Sequence, residues 1–72
     1  MEAVVHVGDN LKRLRTLRAL TQVELAQRAG VTPTTVVRAE RNQAEPHMST
    51  LRKLATALDV DPSELVRGTL DA

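Results

Sequence analysis

Apolar residues recur along this chain at helical spacing, in blocks separated by polar, turn-forming residues. Val7, Leu11 and Leu14, continued by Leu17 or Arg18, share one face of a helix predicted from about Val5 to Arg18. Leu25, Ala26 and Ala29 give the inward stripe of a second helix over Gln22–Ala29, and Val36 and Ala39 that of a third over Pro33–Arg41. The stretch from Asn42 to Pro46 is polar, and Asn42 suits a left-handed helix stop. Met48, Leu51, Ala55 and Leu58 follow at i, i+3, i+7 and i+10, so a fourth helix starts near His47–Ser49. In Asp61-Pro62-Ser63-Glu64 a cap residue precedes a first-turn proline and an acid at the third helical position. A short fifth helix is expected from there to about Gly68. No repeat, low-complexity stretch or linker interrupts the pattern. The prediction is one domain over residues 1–72, an all-α bundle of five helices.

The junction of the second and third helices is the most specific part. Thr21 can cap the second helix through its hydroxyl, and Glu24 completes a capping box. Gly30 supplies the positive φ of a helix stop, and Val31 can plug the corner. Thr32 caps the third helix, and Pro33 follows where a missing N–H costs nothing. Small residues at Ala26 and Gly30 allow a close crossing. This is a helix-turn-helix over 21–41, whose second helix can enter a DNA major groove.

At these residues the chain resembles the helix-turn-helix domains of phage repressors and Cro proteins, the xenobiotic-response-element-like transcription regulators. Leu11-Lys-Arg-Leu-Arg15 with Leu20-Thr-Gln22 is similar to the family's first helix and its exit, and Glu40-Arg-Asn42 to the end of its recognition helix. Leu51-Arg-Lys-Leu-Ala55 and Leu58-Asp-Val-Asp-Pro-Ser-Glu-Leu65 resemble the last two helices. The likeness covers residues 7–66 and implies a lambda-repressor-like five-helix DNA-binding bundle.

Composition narrows the partners. The chain has no cysteine, which excludes a disulfide framework and a thiolate metal site. With no Phe, Tyr or Trp, stacking of unpaired bases is not available, so single-stranded nucleic acid is disfavoured. Net charge is only +1, a weak argument for DNA. Its distribution adds a basic N-terminal part (Lys12, Arg13, Arg15 and Arg18 against Glu2 and Asp9). The part after Pro46 is slightly acidic (Asp59, Asp61, Glu64 and Asp71 against Arg52, Lys53 and Arg67). A DNA-facing pole fits this, as does an ordinary mixed surface. Ala3-Val-Val5 is too short for a signal peptide and no stretch approaches a membrane span. The expected location is the cytoplasm, on the nucleoid when bound to DNA.

With Val36 and Ala39 inward, Pro33, Thr34, Val37 and Arg38 face outward or sideways, and the resemblance implies that these four positions read bases. Arg38 can donate two bonds to guanine O6 and N7; a phosphate contact or plain solvation is its alternative. Thr34 can bond a base edge or touch a thymine methyl. Pro33 and Val37 can only make apolar contact with methyls, and Val37 has sideways packing as its alternative. The resemblance also implies a phosphate contact from Gln22, helped by the helix N-terminus. Thr35, Arg41, Asn42 and Gln43 form a second candidate phosphate clamp. The resemblance further implies that Arg15 and Glu40 form a buried or semi-buried ion pair tying the first helix to the end of the third. Glu40 is therefore expected to be structural.

Catalysis is not expected. The chain has no cysteine nucleophile, and its histidines, His6 and His47, fall in an N-terminal arm and a loop without metal-ligand spacing. No cofactor or metal is expected. The expected function is a sequence-specific transcription regulator, most simply a repressor, on a partly palindromic duplex operator. Since one short helix reads few base pairs, a homodimer is expected. Leu58 and Leu65 are expected to close the core; Val60, Val66 and Leu70 are the dimer candidates, with Met1–Val7 as an added arm. The competing reading is a protein-partner module on the same fold, such as an antitoxin. Restriction–modification controller proteins are similar in size and in the Glu40-Arg41-Asn42 turn.

Overall fold

The structure is a computed structural model that describes residues 7–43 and 46–66. These residues form α1 (Val7–Leu17), α2 (Gln22–Ala29), α3 (Pro33–Glu40), α4 (Met48–Leu58) and α5 (Ser63–Val66). The element order and type are those expected, and every helix boundary within the described residues lies close to its predicted place.

Local chemistry sets the ends. The Thr21 hydroxyl accepts from the Glu24 N–H at 3.0 Å while the Glu24 carboxylate accepts from the Thr21 N–H at 2.8 Å, a closed capping box. Gly30 has φ 73° and ends α2, and the Val31 N–H returns to the Ala26 carbonyl at 3.0 Å. The Thr32 hydroxyl accepts from the Thr35 N–H at 3.3 Å, with Pro33 in the first turn of α3. Asn42, φ 56°, is the left-handed residue that stops α3. The Asp61 side chain accepts from the Ser63 N–H at 2.9 Å and starts α5.

The core is aliphatic. Leu11, Leu25, Val36, Leu54, Leu58 and Leu65 are fully buried, one or more from each helix. Each such side chain stabilises the fold by about 1.5–3 kcal/mol relative to exposure. Leu58 and Leu65 thus close the core as expected. Helix α2 packs on α3 and α4, and α1 packs on α3 and α5. The α2–α3 corner is thereby held from both sides, and among the described residues no element covers the outer side of α3.

Two expectations about faces change. Leu17 is 68% exposed, so the last inward position of the first helix is not Leu17. The chain turns there, with Ala19 at φ 57°, and Leu20 is buried instead. Arg18 points to α4, where its Nε donates to the Leu58 carbonyl at 2.8 Å and caps that helix's C-terminus. Met48 is 60% exposed although its spacing puts it on the α4 stripe. It is the first helical residue, and among the described residues no neighbouring element covers it. The buried stripe runs Leu51, Leu54, Ala55, Leu58, at i, i+3, i+4 and i+7. His47 is the N-cap of α4 but makes no side-chain cap bond. The expected arm over Met1–Val7 (except Val7 itself), the end of the fifth helix near Gly68, and Leu70 lie outside the described residues.

One close approach had no warning in the pattern. A Cβ on Gly8 would stand 2.6 Å from the carbonyl oxygens of Ala39 and Glu40 and 2.8 Å from the Asn42 Oδ1. The Gly8 N–H donates to that Oδ1 at 3.2 Å. Glycine here brings the positive N-terminal end of α1 against the negative C-terminal end of α3.

Candidate nucleic-acid interface

Helix α3 buries Val36 and Ala39 and leaves Pro33, Thr34 and Arg38 exposed. Val37 is half-buried at the margin, so the outward set is three open positions and one partly covered valine. Pro33 and Thr34 stand at the N-terminal end, the part of a recognition helix that meets base edges. Arg38, one turn on, lines a recess of about 160 Å³ together with Thr35, Ala39 and Pro46.

Thr35 is half-buried, and its hydroxyl lies 3.0 Å from the Thr32 hydroxyl. Since Thr32 accepts the Thr35 N–H, a Thr32 hydroxyl donating to Thr35 leaves the Thr35 O–H to an outside acceptor. Arg41, Asn42 and Gln43 are exposed in the turn after α3. The Asn42 Oδ1 is engaged by the Gly8 N–H, which leaves the amide nitrogen as its outward group, a donor suited to a phosphate.

At the other edge, Arg15 and Glu40 meet in a forked pair. The Arg15 Nε donates to Glu40 Oε2 at 2.6 Å and the Arg15 Nη2 to Glu40 Oε1 at 3.2 Å. Their side chains are 14% and 4% exposed. The Arg15 Nη1 also donates to the Leu20 carbonyl at 2.8 Å. The pair thus joins α1, the α1–α2 turn and the last residue of α3. Gln22, the first residue of α2, is half-buried, and its Nε2 donates to Glu40 Oε1 at 3.0 Å. The expected pairing of Arg15 with Glu40 is present, but Gln22, singled out separately as a phosphate contact, was not expected to join the pair in one network. No spacing signals a bond between residues 18 positions apart on different helices.

The dimer candidates separate. Val60 is half-buried against the core, while Val66 is 38% exposed on α5. Two carboxylates are held below their usual range by backbone N–H donors. Thr21 does this to Glu24 and Ser63 to Asp61. Both are helix caps and belong to the frame. No three His, Cys, Asp or Glu side chains cluster to hold a metal among the described residues.

Comparison with known proteins completes the description. Residues 11–65 match the family described as Helix-turn-helix. The immunity repressor protein of Bacillus phage phi105 is 38% identical over 60 residues, 83% of this chain. The match spans only 42% of that repressor's length. The crystal structure of the restriction-modification controller protein C.AhdI from Aeromonas hydrophila is 41% identical, with a TM-score of 0.81. That match covers 85% of this chain and 92% of the controller. SinR of Bacillus subtilis, whose crystal structure in complex with DNA is known, is 32% identical with a TM-score of 0.79. It covers 82% of this chain and 95% of that one.

Proposed function

The chain belongs to the Helix-turn-helix family, and from that premise we propose that it is a transcription regulator that binds double-stranded DNA sequence-specifically. Helix α3 enters the major groove. Pro33, Thr34, Val37 and Arg38 face the bases, and Gln22, Thr35, Arg41, Asn42 and Gln43 flank them as phosphate contacts. The observation that carries this reading is the outer side of α3. Its outward side chains Pro33, Thr34 and Arg38 are exposed, with no covering element among the described residues, while its inner side chains, Val36 and Ala39, are buried.

The reading set is sparse in donors. Arg38 supplies the bidentate group and Thr34 a single hydroxyl, while Pro33 and Val37 offer apolar contact to thymine methyls. So small a surface reads few base pairs. The active form is therefore a homodimer on a partly palindromic site, with two recognition helices one turn, ~34 Å, apart. Val66 is the exposed described candidate for the contact between copies. The regulator needs no cofactor, performs no catalysis and works in the cytoplasm, and blocking a promoter is its simplest action.

The test is to incubate the purified protein with sheared DNA of its source near physiological salt and sequence the retained fragments. An enriched motif with two-fold symmetry and half-sites about one turn apart is expected. Retention without a shared motif, or none by the folded protein, would overturn the reading in favour of a protein-partner module.

A further inference from the structure

Glu40 is an acid at the end of the helix that is to lie in a groove lined by phosphates. By charge alone it should weaken DNA binding. Its bonding says otherwise. The carboxylate accepts from Arg15 Nε, Arg15 Nη2 and Gln22 Nε2, at 2.6, 3.2 and 3.0 Å. The Arg15 charge lies directly against it, so what it presents outward is small.

Its effect on Gln22 is specific. An amide can turn either its oxygen or its nitrogen toward a neighbour, but a carboxylate only accepts. Glu40 therefore holds the nitrogen end of the Gln22 amide. An amide nitrogen carries two hydrogens, and one is spent on Glu40 Oε1. The second is left, with its direction fixed, at the first residue of α2. There the helix's opening N–H groups and its positive end favour an anion. We infer that Glu40, anchored by Arg15, is a positioning residue for DNA binding that aims the second Gln22 amide N–H at a backbone phosphate. The inference rests on the DNA-binding function proposed above and adds to it the group that orients the phosphate contact.

Glu40→Gln tests the idea because two accounts predict opposite signs. Without a pure acceptor at position 40, the Gln22 amide can turn. An oxygen lone pair then faces the phosphate where an N–H stood. Positioning predicts weaker DNA binding; bare repulsion predicts tighter binding once the acid is gone. The dissociation constant for a duplex carrying the recovered site is measured for the parent, Glu40→Gln, Gln22→Ala and the double variant, with helicity and melting followed by circular dichroism. Gln22→Ala should weaken binding about tenfold, and Glu40→Gln roughly three- to tenfold, the range of one ordinary hydrogen bond. In the Gln22→Ala background, Glu40→Gln should cost nothing further, because the group it aims is gone.

An equal loss in both backgrounds would overturn the inference, since Glu40 would then serve the fold alone. Tighter binding by Glu40→Gln in the parent would overturn it as well. If Glu40→Gln does not fold, Glu40→Asp carries the same cycle. It keeps the charge for Arg15 but withdraws the acceptor from Gln22, with the same pattern expected. A parent protein that binds no duplex at all overturns the proposed function instead, so the two failures are distinct.

Discussion

Arg38 is the one long cationic donor among the four outward positions of α3 and is exposed. If it reads guanine, Arg38→Ala should lose about 1–3 kcal/mol of discrimination at one base pair with the melting curve unchanged. Competition between the recovered site and single-base variants measures this; an unaltered preference with uniformly weaker binding would make Arg38 a phosphate contact. These outward residues were legible because a helix period separates them from Val36 and Ala39. The Gln22–Glu40 bond was not, because it depends on how α2 and α3 cross. Ala19 was illegible for another reason. It sits at φ 57°, a conformation that costs an ordinary L-residue ~1–2 kcal/mol and glycine very little. Nothing in an alanine announces that. Ala19→Gly should remove the strain at a smaller cost in unfolded-chain entropy, a net gain of about 0.5–1 kcal/mol. Urea denaturation checks this, and a lower midpoint would mean that the methyl's contacts outweigh the strain.

The elements with self-contained end signals were the ones the sequence predicted best. Thr21 with Glu24, Gly30, Thr32 with Pro33, and Asp61 each act within three residues of themselves, so no tertiary information was needed. Inward faces at helix ends were harder. Met48 and Leu17 fit the period yet stand exposed among the described residues, and Leu54 is buried because α4 presents a stripe wider than the one counted. The capping box also predicts a pH effect. The Thr21 backbone N–H holds the Glu24 carboxyl below its ordinary value in the fold. A lowered folded value means that the carboxylate's contribution is complete above the unfolded value, about 4.3. It is lost as pH falls through the lower folded one. Glu24→Gln keeps a neutral acceptor for the Thr21 N–H. The variant should melt below the parent at pH 7, and the gap should narrow as pH falls below the unfolded value. A gap that stays the same size as pH falls would show that Glu24 acts through shape and not through charge.

Across the whole molecule, α1 braces the corner that carries the interface. Gly8 brings its first turn against the end of α3, and Arg15 grips Glu40 from its last turn. Helix α3 is thus held at its C-terminal end by α1 and packs against α2. A rigid corner fixes one reading head but cannot lengthen it: α3 spans 8 residues and offers four outward positions. On the proposed reading, affinity for a unique site comes from a second copy at a fixed separation. This makes spacing the decisive variable. Inserting about five base pairs between the half-sites rotates one by roughly half a turn and should reduce binding to that of a single half-site. A mutated half-site should do the same. Electrophoretic titration of the parent site, the inserted site and the half-site compares the three directly. If the inserted duplex binds as tightly as the parent, the two copies bind independently and no dimer contact sets the geometry. If it falls to the half-site value, the contact is rigid, and Val66→Glu, placing a charge on the exposed face of α5, should abolish the difference between full and half sites.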